Sequence, residues 1–141
     1  MDWQLRLRAL LRGRRRGDAV IEFVLLAPTL LVILLGILDV GRVLDTWLVV
    51  ENAAREGARV AAQVPPGSDP AGVGQQAALA YLASALAPRR DVLAQRVPST
   101  VVTFDTVTVN TEADVQLYTP MIQAFLPSPV PVRASASMRR Q

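Results

Sequence analysis

The spacing of apolar positions changes along the chain, and each kind of spacing marks an element. Residues 23–38, FVLLAPTLLVILLGIL, carry no charge in sixteen positions, and twelve of the sixteen are Phe, Val, Leu or Ile. With residues 19–22 the run reaches twenty, about 30 Å of helix at 1.5 Å per residue, enough to cross a bilayer core. At roughly −0.3 to −0.6 kcal/mol each, the twelve large side chains favour insertion by about 4–7 kcal/mol. A chain of 141 residues could hardly surround so uniform a cylinder as a buried core helix. The helical period then continues in Val40, Val43, Leu44, Trp47, Val50, Ala54, Ala58 and Ala61, spaced by three and four. Glu51 with Arg55 and Glu56 with Arg59 fall where they can pair on the wet face. Pro65-Pro66-Gly67 ends the helix, so the pattern predicts one element over about 18–63, half of it in lipid. Two rows of small residues, Ala54/Ala58/Ala62 and Ala53/Gly57/Ala61, either admit a close neighbour or are ordinary alanine-rich helix.

Beyond the break, Asp69 can cap a helix with Pro70 at its first position, running to about Leu86 with Ala78, Leu79, Leu82 and Leu86 on one side. Gly72 and Gly74 weaken its first turns. The period then falls to two. Over residues 106–118, Val107, Val109, Thr111, Ala113, Val115 and Leu117 alternate with polar neighbours, and Val130, Val132, Ala134, Ala136 and Met138 do the same. A shorter strand is predicted around residues 100–104. Between them, Thr119-Pro120 opens a short helical connection. About three strands with one polar face need a cover on the other. The long helix and the helix over 70–86 supply it, which predicts an α+β, pilin-like fold: a long N-terminal transmembrane helix continuing into a soluble half, packed on a small antiparallel sheet with a second helix. The organisation is a basic leader over 1–17, the long helix over 18–63 with a span at about 19–38, and an α+β head over 64–141.

Charge fixes the expected orientation. All 15 basic residues are arginine, and six (Arg6, Arg8, Arg12, Arg14, Arg15, Arg16) precede the span, where Asp2 is the only acid, for a charge of +5. The rest of the chain has nine arginines and eleven acids, a net of −2. The basic character therefore belongs to the leader, and no nucleic-acid surface is expected on the head. Arginines just before the span place that side in the cytoplasm and the head outside. A cleaved secretory signal would have a shorter apolar run ending in a small-x-small site.

Arg14-Arg15-Arg16-Gly17-Asp18-Ala19-Val20-Ile21-Glu22-Phe23 is the stretch that carries chemistry. Glycine before a scissile bond lets the backbone enter a tight site with no Cβ to clash. Arginines hold the segment at the anionic inner face. Glu22 is costly at the edge of an apolar span and calls for a partner or a function. The junction resembles the processing site of type IV pilin precursors. The order continues with Pro28 in the span, Leu38-Asp39-Val40-Gly41-Arg42, and Asn52-Ala53-Ala54-Arg55-Glu56-Gly57-Ala58-Arg59, which is similar to TadE-like proteins, the minor pseudopilins of the tight-adherence (Flp) pilus system. The closing Ala134-Ser135-Ala136-Ser137-Met138-Arg139 also resembles that family's last strand.

That resemblance implies cleavage by a prepilin peptidase between Gly17 and Asp18, with Glu22 and Phe23 at the fifth and sixth mature positions acting in assembly. Asp18 departs from the small or hydroxyl residue more usual after the cut. The freed amine of Asp18 and the Glu22 carboxylate can pair between subunits. Pro28 reads either as a hinge for leaving the bilayer or as a proline the span tolerates. The implied partners are the membrane, the peptidase, other pilins or pseudopilins and the inner-membrane pilus platform, with no cofactor, nucleic acid or small-molecule substrate. The competing role is a signal-anchored scaffold of the same platform that never enters a filament. A catalytic role is disfavoured: with no histidine or cysteine, and no phosphate loop or metal spacing, the usual general bases, nucleophiles and ligands are missing.

Overall fold

The computed structural model describes residues 3–65 and 67–140, residues 3–17 by their helical backbone alone and Ala94, Gln95 and Val97 without their side chains. Helix α1 (Trp3–Ala62) is followed by α2 (Pro70–Leu86), β1 (Val92–Val102), β2 (Thr106–Val115), the single turn α3 (Pro120–Gln123) and β3 (Val130–Arg139). The α+β class expected from the alternating periods is the one observed. Two compact units divide the chain, Met1–Ile37 and Leu38–Gln141. The second half of α1 thus belongs with the head rather than with the span.

The first unit is α1 alone. Asp18–Ala62 is the one helix among the described residues long and apolar enough to cross a membrane, and none of its most apolar stretch is buried. Phe23, Leu25, Leu30, Ile33 and Ile37 are each more than half exposed, as a lipid-facing cylinder requires. The helix runs unbroken through Pro28. It also begins earlier than the pattern predicts, at Trp3, in a segment where arginine and leucine are good helix formers.

In the second unit the three strands form an antiparallel meander, β1-β2-β3, with β2 in the centre. Val107, Val109, Thr111, Ala113 and Val115 of β2 are all buried, as their alternation predicts. They face the C-terminal half of α1 and helix α2. One core cluster joins Val50, Ala53, Leu82, Leu86, Ala113, Val115 and Val132; a second joins Ala58, Ala61, Ala78, Val107 and Val109. The outer face is polar and stitched across strands. Glu112 is held between Arg96 and Arg133 at 3.3 and 3.2 Å, and Thr108 pairs with Ser137 and Asn110 with Ser99.

The small-residue rows of α1 are packing surfaces. Ala53, Ala54, Gly57, Ala58, Ala61 and Ala62 are all buried. A Cβ on Gly57 would lie 2.8 Å from the Gly74 carbonyl oxygen, and one on Gly74 would lie 2.9 Å from Ala61 Cβ. Gly74 therefore weakens α2 locally but lets the two helices touch backbone to backbone. Asp69 accepts the Gly72 amide at 3.0 Å with Pro70 in the first turn, which is the predicted cap. Helix α1 ends at Ala62, and Gly67 takes φ +92°, the left-handed conformation suited to glycine.

Two sequence expectations are corrected. The first strand runs over Val92–Val102, not 100–104: its alternation is interrupted by register shifts between Val92 and Ala94 and between Arg96 and Ser99, the second around the buried Pro98. Phe104 lies instead in the turn beyond it, fully exposed. The second correction concerns only the first half of the stripe on α1, since Val50, Ala54, Ala58 and Ala61 are buried as expected. Val40, Leu44 and Trp47 are 55, 56 and 42% exposed, and the buried line runs through Asp39, Thr46, Val50 and Ala53.

Candidate functional site

The residues of the expected junction lie on one continuous helix. Gly17 lies outside the fully described residues, beyond its helical assignment. Asp18 and Glu22 are exposed, four residues apart and so on the same face of α1, with Phe23 beside them 66% exposed. Neither carboxylate has a hydrogen-bond or ion-pair partner among the described residues. Pro28 is likewise exposed, one and a half turns further on.

The segment Asn52-Ala53-Ala54-Arg55-Glu56-Gly57-Ala58-Arg59 divides by face. Ala53, Ala54, Gly57 and Ala58 are the buried seam under β2 and α2, while Asn52, Arg55 and Arg59 are exposed and Glu56 half-buried. Arg55 bonds Glu51, and Arg59 bonds Glu56 through Nε and Nη2 at 2.8 and 2.7 Å. The Arg59 guanidinium holds the Glu56 carboxyl below its ordinary range. Such surface pairs contribute little to stability, so the segment's structural value lies in its small residues.

The best-built polar group in the head centres on a residue that stands in the Leu38–Arg42 motif but has no role predicted from sequence. Asp39 follows the apolar run directly and is only 2% exposed. Its carboxylate accepts the Tyr118 amide at 3.2–3.3 Å and the Thr119 amide at 2.8 Å, and Arg42 approaches it at 3.3 Å. Burial alone would push this carboxyl up. Hydrogen bonding from Thr119, the Tyr118 amide and the Arg42 charge outweigh that and hold it below its ordinary value. Arg42 also stacks over the Tyr118 ring, 4.7 Å from its centre. One turn further on, the Thr46 hydroxyl bonds the Arg42 carbonyl, and further still the Thr111 hydroxyl bonds the Val50 carbonyl at 2.8 Å. These bonds let polar side chains occupy the buried line of the helix.

A second cluster joins the helix to the α2–β1 connection. Arg89 bonds Asp91 at 3.0 Å and reaches Asp45 on α1. Asp91 is held below its ordinary range, chiefly by Arg89, and Arg89 is raised, chiefly by Asp91. The only hint in sequence is a pair of acids on the helix and an Arg-Arg-Asp run 44 positions later, which is too common to single out. Both clusters do mechanical work: they fix the sheet and its connections to the helix. Among the described residues no group of three or more potential metal ligands is assembled.

No curated protein and no solved structure matches the chain. A family model does match, and it covers the junction residues from Gly17, the apolar run, Asp39 and the packing seam, stopping before the sheet. Residues 17–59 match the family model TadE, described as TadE-like protein.

Proposed function

We propose that the chain is a Tad pilus-associated assembly component: a single-pass protein of the cytoplasmic membrane, cut by a prepilin peptidase between Gly17 and Asp18, that acts as a minor pseudopilin. The observation that carries this reading is the TadE-like match over 17–59, whose first residue is the glycine of the junction. The exposed, uncharged cylinder over 23–38 supports residence in lipid, and six arginines before it support a cytoplasmic N-terminus. The role is assembly rather than catalysis. Glu22 is exposed at the edge of the apolar run, where a carboxylate is costly unless neutralised. After cleavage the Asp18 amine supplies a cation near the same depth, and a neighbouring subunit's amine can meet the Glu22 carboxylate. The head, locked to the upper half of α1, gives the helix a rigid load to carry.

Two substitutions in the native host test this. Gly17→Ala should leave the chain at precursor size on a gel, and Glu22→Ala should permit cleavage but abolish the protein's contribution to pilus assembly. Mature-size Gly17→Ala protein would overturn the processing step. Normal pili with Glu22→Ala, the protein remaining in the membrane, would favour the scaffold that never enters a filament.

A further inference from the structure

We propose that the segment around α3 is a foot that rests in the outer interfacial layer of the bilayer, so that the head touches the membrane at a second place besides its span. This inference rests on α1 crossing the membrane, and is independent of the pilus assignment and of processing at Gly17.

Three observations carry it. First, residues 115–132 contain no charged side chain, between Asp114 and Arg133, in a chain where charged residues make up 19%. Val115, Leu117 and Val132 of that stretch belong to the core, and the apolar side chains it leaves on the surface expose the head to aggregation unless something apolar covers them. Second, four large side chains of its middle, around α3, are exposed: Tyr118, Met121, Phe125 and Leu126 at 50, 55, 85 and 51%. Third, its height along α1 is fixed. Asp39 accepts the amides of Tyr118 and Thr119, and one peptide bond separates Asp39 from Leu38, the last residue of the apolar run. Ile122 and Leu126 share an apolar cavity with Val40 and Leu44. Leu44 is six residues past Leu38, about 9 Å along the helix. The foot therefore lies within the depth of a headgroup layer from where the span ends.

The chemistry suits that layer rather than the hydrocarbon core. Aromatic rings and an arginine are favoured at headgroup level, and Tyr118 carries Arg42 over its face. Pro120, Pro127, Pro129 and Pro131 each lack an amide donor and interrupt regular pairing, a backbone suited to the wet headgroup layer rather than to the hydrocarbon core. A shallow insertion of roughly 5–10 Å by the Phe125 and Leu126 side chains, as for interfacial amphipathic segments, satisfies both demands. By the same logic Phe104, fully exposed in the β1–β2 turn, stays in water: β2 carries the chain from there to the Asp39 end of the sheet, about 30 Å at 3.3 Å per residue.

Single-tryptophan reporters test this in the full chain, with Trp3→Phe and Trp47→Phe as background, reconstituted into phosphatidylcholine/phosphatidylglycerol vesicles. Three reporters are compared: Phe125→Trp, Phe104→Trp and Leu30→Trp. Nitroxide lipids labelled near the headgroup should remove most of the emission at position 125 and leave that at 104 intact, while lipids labelled deep in the chain quench position 30. Position 125 should also be shielded from aqueous acrylamide. If position 30 is quenched at depth but 125 behaves like 104, the foot is wrong and the span stands. If 125 is shielded from acrylamide yet untouched by lipid quenchers, a second copy of the chain covers it and the foot is again wrong. If position 30 escapes the deep quencher, span and foot fall together.

Discussion

Removing the Asp39 carboxylate should loosen the head where the chain leaves the span, by an amount the geometry allows to be worked out. In Asp39→Ala the Thr119 amide, in a residue 3% exposed, loses a 2.8 Å bond to a charged acceptor and finds no water. An orphaned buried donor costs about 1–3 kcal/mol, and a bond to an ionised group is at the upper end. The Tyr118 amide belongs to a half-exposed residue and can be partly rehydrated, so its loss costs about 1 kcal/mol. The Arg42 contact adds a few tenths at most, since that guanidinium is 43% exposed. Alanine returns about 0.5 kcal/mol in helix propensity. The net is about 2–4 kcal/mol, which predicts a roughly 30- to 700-fold larger opening equilibrium constant for the segment it anchors. Amide hydrogen exchange on the full chain in detergent or nanodiscs measures this directly. Peptides covering 117–126 should exchange faster by that factor, while the distant β1–β2 turn, where the Thr103 amide bonds the Thr106 carbonyl, changes much less. Asp39→Asn, which keeps one acceptor oxygen but no charge, should fall between. Unchanged exchange at 117–126, or an equal increase in both regions, would refute the idea of a local anchor.

Other consequences can be checked on the same preparation. Gly57→Ala should destabilise the head by about 1–3 kcal/mol, because the new methyl meets the Gly74 carbonyl and outweighs the roughly 1 kcal/mol gained in helix propensity. Gly41→Ala, with open space around it, should be neutral or mildly stabilising; a thermal melt in which the two variants behave alike would count against the α1–α2 contact. Stability should also fall in acid. Asp39 and Asp91 have folded pKa values below their ordinary 3.8, so their contribution is complete above that value and is lost as pH drops through the lower folded values. A melting temperature flat from pH 6 to about pH 2 would contradict it.

How far each element was legible in the sequence follows from what its periodicity encodes. Strand β2 was readable because it is central, dry on one face and wet on the other, so every second residue had to be apolar or, at Thr111, bonded to the helix backbone. The cap of α2 was readable because Asp69-Pro70 is a local device. Strand β1 was not, since two bulges and Pro98 shift the side chains off the simple alternation. The stripe on α1 is more instructive, because its second half (Val50, Ala54, Ala58, Ala61) is buried and its first half is not. A search for large apolar side chains finds Val40, Leu44 and Trp47, yet the sheet sits against the neighbouring line, where a buried aspartate and small residues allow closer approach. Large side chains mark a helix's core face only when no other apolar phase is present. Here that other face is left exposed, and the exposed residues closest to the span end share their cavity with the foot. Glu22 and Asp18 were legible as an anomaly and through the resemblance of the junction: a carboxylate at the mouth of an apolar helix asks for a partner, and the described residues supply none.

The most direct test of the central claim is the intact mass of the protein isolated from membranes of its native host. The account predicts a species that begins at Asp18 and has lost the arginine-rich leader, found in the membrane fraction. A population consisting wholly of the uncut chain, or one that leaves the membrane without detergent, would contradict it.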